Sequence, residues 1–496
     1  MVGLTLVVGL LFNVRWRWKH PLKKRPLDVE DNLPLPWLAQ TSTVFSLTAL
    51  FGAYLGVAVA LGLPALMGLA LGTVLGLFAV RYWIERTLRE IEKKRKKFED
   101  FLGAIMSPNK GHTTSFALVV SGIQCVYATS ELLILRELAK AALGFKSEQA
   151  TLLVVSVAIV GYFYVLLGGY LSLFRTDVIQ LGLVALMAVT ASVVVLISHS
   201  EIGLAAAKFW ARPGFWKIPS LGAGPALYTY HFLIATVMGC GFMLGSPDTW
   251  KRIYQVNKDQ IEKQKNTPRA RFLTLAGVGT LPYLVLLPVA IAIGTKADPQ
   301  NTHNFTVPVA LENSLLYGAV ALGLIASFLS SFNSALLAST HVILVWQRRL
   351  WRWRSKRGEP KQAMPEEAKF YAILMVIFII VCLVFATGVE LLCNPVPDKI
   401  NNPWLLGGLL MGGYAAVGGL LIGTNGKVFR LRKFNLEFIL GVAMVLWVRY
   451  FLSSPGYSLR PTVFSINTIP PAVALCVITA LVARLLILIF GDRSND

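Results

Sequence analysis

Oxygen-bearing side chains recur at helical spacing in the stretch SFLSSFNSALLAST, residues 327–340. Ser327, Ser330, Ser331 and Ser334 stand at i, i+3, i+4 and i+7, which places them on one broad helix face. Two chemistries fit such a face. Small hydroxyls let neighbouring helices approach closely; neutral hydroxyls and carbonyls also suit a hard monovalent cation such as Na+, held weakly enough to be released. Two acids stand out against the apolar background. Glu131, with Gln124 on the same segment, is the most central, and suits either ion or substrate coupling or an internal pair with Arg136. Asp177, beside Arg175, lies at the junction of two apolar segments in GGYLSLFRTDVIQ, residues 168–180. It fits a helix N-terminus, where the dipole favours an acid, or an ion exit path at a membrane edge.

A third stretch, GCGFMLGSPDTWKRIYQVNKD at 239–259, carries Gly239, Gly241, Gly245 and Pro247. Such a run breaks a helix, and inside a bilayer a broken helix survives only where protein or a cavity satisfies the freed backbone groups. No HExxH, GxSxG or phosphate-binding loop appears, so an enzyme is not expected. The five cysteines are scattered without CxxC spacing, and neither a structural metal nor a cofactor is expected. His231 reads as a packed or interfacial histidine rather than a proton relay, and Arg449 and Arg484 as snorkelling residues near span ends.

The elements that position these residues follow from composition. The 496 residues are 55% hydrophobic and 15% charged, against roughly 25% charged in a soluble domain, and mean hydropathy is +0.61. Apolar runs long enough to cross a bilayer recur along the whole chain. They fall near 1–14, 37–61, 65–84, 112–140, 149–172, 177–198, 224–247, 271–294, 311–346, 369–392, 403–424, 434–452 and 467–490, about 13 spans. The fold class is therefore all-α, a polytopic transmembrane bundle. The first run is short for a crossing; its positive charges follow it, unlike those of a signal peptide.

A net charge of +21 raises the question of nucleic acid, and its distribution answers it. Loops on one side carry about 35 Lys/Arg and those on the other about 10, which puts the basic loops and the C-terminus inside and the N-terminus outside. Those loops fit anionic lipid headgroups, and the alternation of Trp346, Arg348, Arg349, Trp351, Arg352, Trp353 and Arg354 fits a helix end in the headgroup layer. No nucleic-acid partner is expected. The Asn304-Phe305-Thr306 sequon on the outer side is a weak pattern.

In this order and at these separations, the three stretches resemble the sodium:solute symporter family, over about residues 30–425. The Gly-Gly pair followed by Thr-Asp and Gln is similar to that family's inner loop. Asp248, Trp250, Lys251 and Arg252 are similar to its Asp-x-Trp-Gln-Arg stretch after the broken sixth core helix, and Ser330 and Ser331 to the hydroxyl pair of its eighth. Leu35, Pro36 and Trp37 resemble the Leu-Pro-Trp that precedes its first core helix. The resemblance implies two five-helix inverted repeats of leucine-transporter type plus extra helices. The divisions would be 1–35 (short span and basic loop), 36–198 (first repeat), 199–424 (second repeat) and 425–496 (two C-terminal helices). It also implies Na+ as coupling ion between the first and eighth core helices, with carbonyls of Ser46, Ala49 and Ser327 completing a site with Ser330 and Ser331. Thr48, Phe51, Glu131 and Phe242 would line a pocket for a small organic solute.

The chain departs from the family in two places. Where relatives carry a polar stretch in the first core helix, residues 46–56 read SLTALFGAYLG, with Thr48 and Tyr54 as the main polar side chains. Phe242 stands where relatives often place an inner-gate tyrosine. Both changes argue against a sugar, whose hydroxyls need many partners, and favour a small monocarboxylate or amphipathic solute, or lost transport. The expectation is a Na+-coupled secondary transporter in a cell membrane, in a bacterial host the inner one. The alternative is a transporter-like subunit that senses or scaffolds, docking a cytoplasmic or membrane protein partner on its basic face.

Overall fold

The computed structural model describes residues 67–82, 110–198, 314–356 and 367–393, with positions 232, 235–236, 239–240, 242–243 and 245–253 between them. Among the described residues every regular element is an α-helix. In chain order these are α1 (Met67–Tyr82), then α2 (Lys110–Leu143), α3 (Ser147–Ser198), α4 (Ser314–Lys356) and α5 (Glu367–Cys393). The 232–253 segment is helical at every described position except Ser246.

Apolar side chains fill the interior and also line exposed helix faces. On α5, Ile373, Val376, Ile377, Ile380, Val381 and Val384 form one exposed apolar stripe, while Tyr371, Met375, Phe378 and Cys382 are buried. On α3, Leu152, Ile159, Phe163, Ile179, Leu186 and Val189 are exposed. Such stripes in water would be a liability; against lipid they cost nothing. The apolar stretch of α4, Leu322–Arg348, is by contrast almost entirely enclosed by its neighbours. Among its buried hydroxyls, Thr340 back-bonds to the Leu336 carbonyl at 2.7 Å, while Ser339 Oγ has no hydrogen-bond partner among the described residues.

Helix ends and breaks have local causes. The α2–α3 turn passes through Gly144 at φ 65°, a conformation open to glycine, and Arg136 donates to the Ser147 hydroxyl across it at 2.7 Å. In the 232–253 segment the expected interruption falls at Ser246. Ser246 caps a new turn, accepting from the Thr249 N–H at 3.4 Å, and Pro247 occupies the first helical position, where a missing N–H is harmless.

The Gly168–Gly169 pair behaves differently from expectation. The sequence reading ends one helix there and starts another at Thr176–Asp177; α3 instead continues through both as one hydrogen-bonded helix of 52 residues. It is nevertheless bent. Asp177 meets Ser330 at 2.8 Å, and a Cβ on Gly161 would lie 2.6 Å from the Asn333 Oδ1. Ser330 and Asn333 are one turn apart on α4, so side-chain reach allows the α carbons of 161 and 177 a separation of at most about 21 Å, whereas a straight helix would separate them by about 24 Å. The glycine pair lies midway between these two points, where a kink is least resisted.

Two close approaches fix neighbouring helices. Gly68, Gly72 and Gly76 of α1 face the backbone of Phe232, Thr236 and Cys240 in turn, leaving no room for a Cβ. Gly239 returns the contact, since a Cβ there would lie 2.6 Å from the Leu69 carbonyl oxygen. Both partners advance by four residues in the same direction, so the two helices run parallel. Between α3 and α4 the pairs Asp177–Ser330 and Met187–Gly323 advance in opposite directions, an antiparallel contact.

Candidate functional site

The enclosed face of α4 presents its serines to carboxylates from two different helices. Ser331 Oγ lies 2.6 Å from Glu131 Oε2 on α2, 2.8 Å from its own helix's Ser327 carbonyl and 3.2 Å from that of Phe328. Ser330, one residue back, donates to Asp177 Oδ1 on α3 at 2.8 Å. Glu131, Asp177 and Ser327 have no measurable exposure, at 0%. Of the five residues expected to hold Na+, the structure brings together Ser327, Ser330 and Ser331; Ser46 and Ala49 lie outside the described residues.

Asp177 is an interior residue of α3 rather than a helix-starting acid, so the dipole does not account for it. Its other oxygen pairs with Arg252 Nη1 at 2.6 Å. Arg252 also donates through Nε to Asp248 Oδ2 at 2.8 Å and through Nη2 to Ser334 Oγ at 2.9 Å. A guanidinium is suited to this task because its planar donors can serve several acceptors at once. Three elements, α3, α4 and the turn capped by Ser246, therefore converge on one buried cation. Breaking such a pair on one side typically costs about 3–5 kcal/mol. Nearby, Gln180 Oε1 and Asp248 Oδ1 are buried with no hydrogen-bond partner among the described residues.

Phe242 stacks obliquely on Tyr127, with ring centroids 6.2 Å apart. Tyr127 is one helical turn before Glu131 on α2, so Phe242, Tyr127, Glu131 and Ser331 form a continuous aromatic-to-polar wall. Thr48 and Phe51, the other two residues expected to line a solute pocket, lie outside the described residues, as do Leu35, Pro36, Trp37, Tyr54, His231, Arg449, Arg484 and the sequon at Asn304. Behind the wall, Cys125 and Cys382 approach to 3.4 Å between sulfurs, and Thr129 donates to the Cys125 carbonyl at 2.8 Å.

Sequence reasoning did not anticipate Tyr127, the role of Ser334 as an acceptor for Arg252, or the α1 glycine stripe. The spacing of Asp248 and Arg252, four apart, is a readable signal for an ion pair on one helix. The stripe at 68, 72 and 76 is likewise a readable small-residue repeat.

No family model matches the chain, and no curated protein matches it in sequence. Among solved structures, the chain is similar to one described as the substrate-bound outward-open state of a Na+-coupled sialic acid symporter with a novel Na+ site. The TM-score is 0.62 at 16% sequence identity, over 98% of this chain and 96% of that one. The chain thus shares the fold of that symporter and is all-helical among its described residues.

Proposed function

We propose that this protein is a secondary active transporter of the sodium:solute symporter type, coupling inward Na+ movement to uptake of a small organic solute by alternating access. The observation that carries this reading is the pair Ser330–Ser331 on a helix enclosed by its neighbours, each hydroxyl meeting a carboxylate from another helix. In a low-dielectric interior, such a concentration of oxygen has no packing rationale, since apolar side chains would fill the space without desolvation cost. It suits a hard cation. Ser327, Ser330 and Ser331 would supply ligands with the carbonyls of Ser46 and Ala49. Asp177 would line the inner exit, alongside the unpartnered oxygens of Gln180 and Asp248.

α1 runs parallel to the 232–253 segment and the second half of α3 antiparallel to α4, while the continuous α3 departs from the strict alternation expected of spans five and six; the two repeats over 36–198 and 199–424 are part of this proposal. The aromatic character of Tyr127 and Phe242 fits an amphipathic solute or small monocarboxylate better than a sugar. A cell membrane, in a bacterium the inner one, with anionic headgroups against the basic loops, is the expected setting. The scaffold reading draws on the apolar 46–56 stretch, and no described contact favours it.

The test is uptake by the purified protein in proteoliposomes, over a panel of labelled organic acids and amphipathic solutes, with and without an inward Na+ gradient. Uptake that requires the gradient is expected. Uptake indifferent to Na+ across the panel would refute the coupling.

A further inference from the structure

Two thiols meet where α2 packs against α5. Cys125 lies near the middle of α2 and Cys382 near the middle of α5, and their sulfurs are 3.4 Å apart. A single cysteine in an apolar segment serves as a small hydrophobe, but a pair in contact across two helices can do a reaction that neither can do alone. The two are not equivalent. Cys382 is buried, at 0% exposure, while Cys125 is half-buried. Gly122, on the same face of α2 three residues earlier, is exposed, and an added Cβ there would meet nothing within 4 Å, so the approach to Cys125 is open. An accessible cysteine with a second thiol beside it is the arrangement of a peroxide-reactive pair. The described polar contacts that cross between the helices here are weak: Cys382 Sγ donates to the Cys125 carbonyl at 3.7 Å, and the Thr129 hydroxyl stands 3.4 Å from the Cys382 carbonyl.

We propose that Cys125 and Cys382 are a reversible modification site, at which a hydroperoxide converts the two thiols to a disulfide that ties α2 to α5. Cys125, the half-exposed sulfur, gives up its proton and attacks the outer oxygen of the hydroperoxide. The O–O bond breaks, its electron pair leaves on the inner oxygen, and that oxygen takes up the proton as an alcohol, or as water when the oxidant is hydrogen peroxide. Cys125 is then a sulfenic acid. The Cys382 sulfur attacks it, the S–O bond breaks, and the departing hydroxide carries off the Cys382 proton as water. In sum, two thiols and one hydroperoxide give one disulfide, one alcohol or water and one further water, with two electrons passing from sulfur to oxygen. A soluble dithiol reverses the change by thiol–disulfide exchange.

The placement of the pair suits this chemistry in two respects. Cys382 is shielded from the oxidant yet in contact with Cys125, so the sulfenic acid is captured before a second oxidant can carry it to the irreversible sulfinic acid. Cys125 also falls near the middle of the span expected over 112–140. A small neutral peroxide can arrive there from water, and a hydroperoxide on a lipid acyl chain can arrive from the bilayer itself. The site needs neither Na+ nor solute.

The test uses the full chain in proteoliposomes with two oxidants in separate arms: hydrogen peroxide added to the buffer, and phosphatidylcholine hydroperoxide built into the bilayer with catalase outside. Samples are quenched with a thiol alkylator, digested without reductant and followed by mass spectrometry. In at least one arm a linked Cys125–Cys382 peptide pair should appear and be reversed by dithiothreitol; the arm that responds identifies the source of the oxidant. It should form at least about tenfold faster than oxidation of Cys240, which has no second thiol beside it among the described residues. Cys382→Ser should accumulate a sulfenic acid on Cys125, trapped by dimedone, while Cys125→Ser leaves Cys382 reduced. Absence of the linked pair in both arms, or oxidation of Cys240 as fast as that of the pair, overturns the inference. The wild-type measurement needs no variant to fold, and none of these readouts depends on uptake.

Discussion

Replacing Arg252 with glutamine tests whether the buried guanidinium holds three elements together. The substitution removes the cation from between Asp177 and Asp248, whose paired oxygens lie 2.6 and 2.8 Å from its nitrogens. At an effective dielectric constant near 20, one such charge pair is worth about 4 kcal/mol. The two carboxylates, left without the cation between them, would then repel each other. Proton uptake by one of them limits the damage, so the net loss should fall at about 3–5 kcal/mol, the usual cost of orphaning a buried charge. For a chain of this size each kcal/mol moves the unfolding midpoint by about 1–2 °C, giving a drop of roughly 3–10 °C. The assay is intrinsic-fluorescence melting in detergent at a fixed scan rate, for Arg252→Gln, Asp177→Asn and the double variant. The double variant should recover at least about 2 kcal/mol relative to the sum of the singles, because it leaves less unpaired charge. A midpoint for Arg252→Gln within 1 °C of wild type, or strict additivity in the double, would refute the buried network.

Other expectations follow from individual contacts. Ser330→Ala and Ser331→Ala should each raise the Na+ concentration for half-maximal uptake by about tenfold or more, the loss of one charge-assisted or cation contact, and unchanged Na+ dependence in both would contradict the site. Gly72→Val should prevent α1 from seating against Thr236 and cost several kcal/mol, beyond the about 1–3 kcal/mol of ordinary overpacking; it should be lost from the monodisperse fraction on size exclusion. Gly122→Ala, with nothing within 4 Å of its added Cβ, is the control and should behave as wild type. The Cys125 and Cys382 sulfurs, 3.4 Å apart, should be joined by a membrane-permeant thiol oxidant, and mass spectrometry that finds both cysteines still free would place α2 and α5 further apart than described.

What the sequence disclosed depended on whether a feature was local. The serine face at 327, 330, 331 and 334 was legible because helical periodicity alone assigns it, and the break before Asp248 because glycine and proline act on their own backbone. The Asp177–Arg252 pair was not, since 75 positions separate the two and nothing in either neighbourhood names the other. The glycine pair at 168–169 misled for a physical reason. Two glycines weaken a helix by only about 1 kcal/mol each relative to alanine, and in a bilayer no water replaces a broken backbone hydrogen bond, so α3 bends where a soluble helix would end. The Gly68, Gly72 and Gly76 repeat was visible as a pattern, but its partner was not, because close contact between backbones is a property of the pair.

That glycine contact also constrains how the protein can move. Sliding one helix past another normally lets side chains swap rotamers to absorb the shift, but α1 and the 232–243 stretch meet backbone against backbone at Gly68, Gly72 and Gly76, with the Met243 Cβ beside Gly76 the one side-chain atom among these nearest contacts. Any displacement along their axis would drive a carbonyl into an α carbon, so the two must travel as one piece. The polar seam between α3 and α4 is different in kind, since hydroxyl and carboxylate contacts can be exchanged one for another at little cost. Relative motion of these helices would therefore be easier along the serine seam than across the glycine contact.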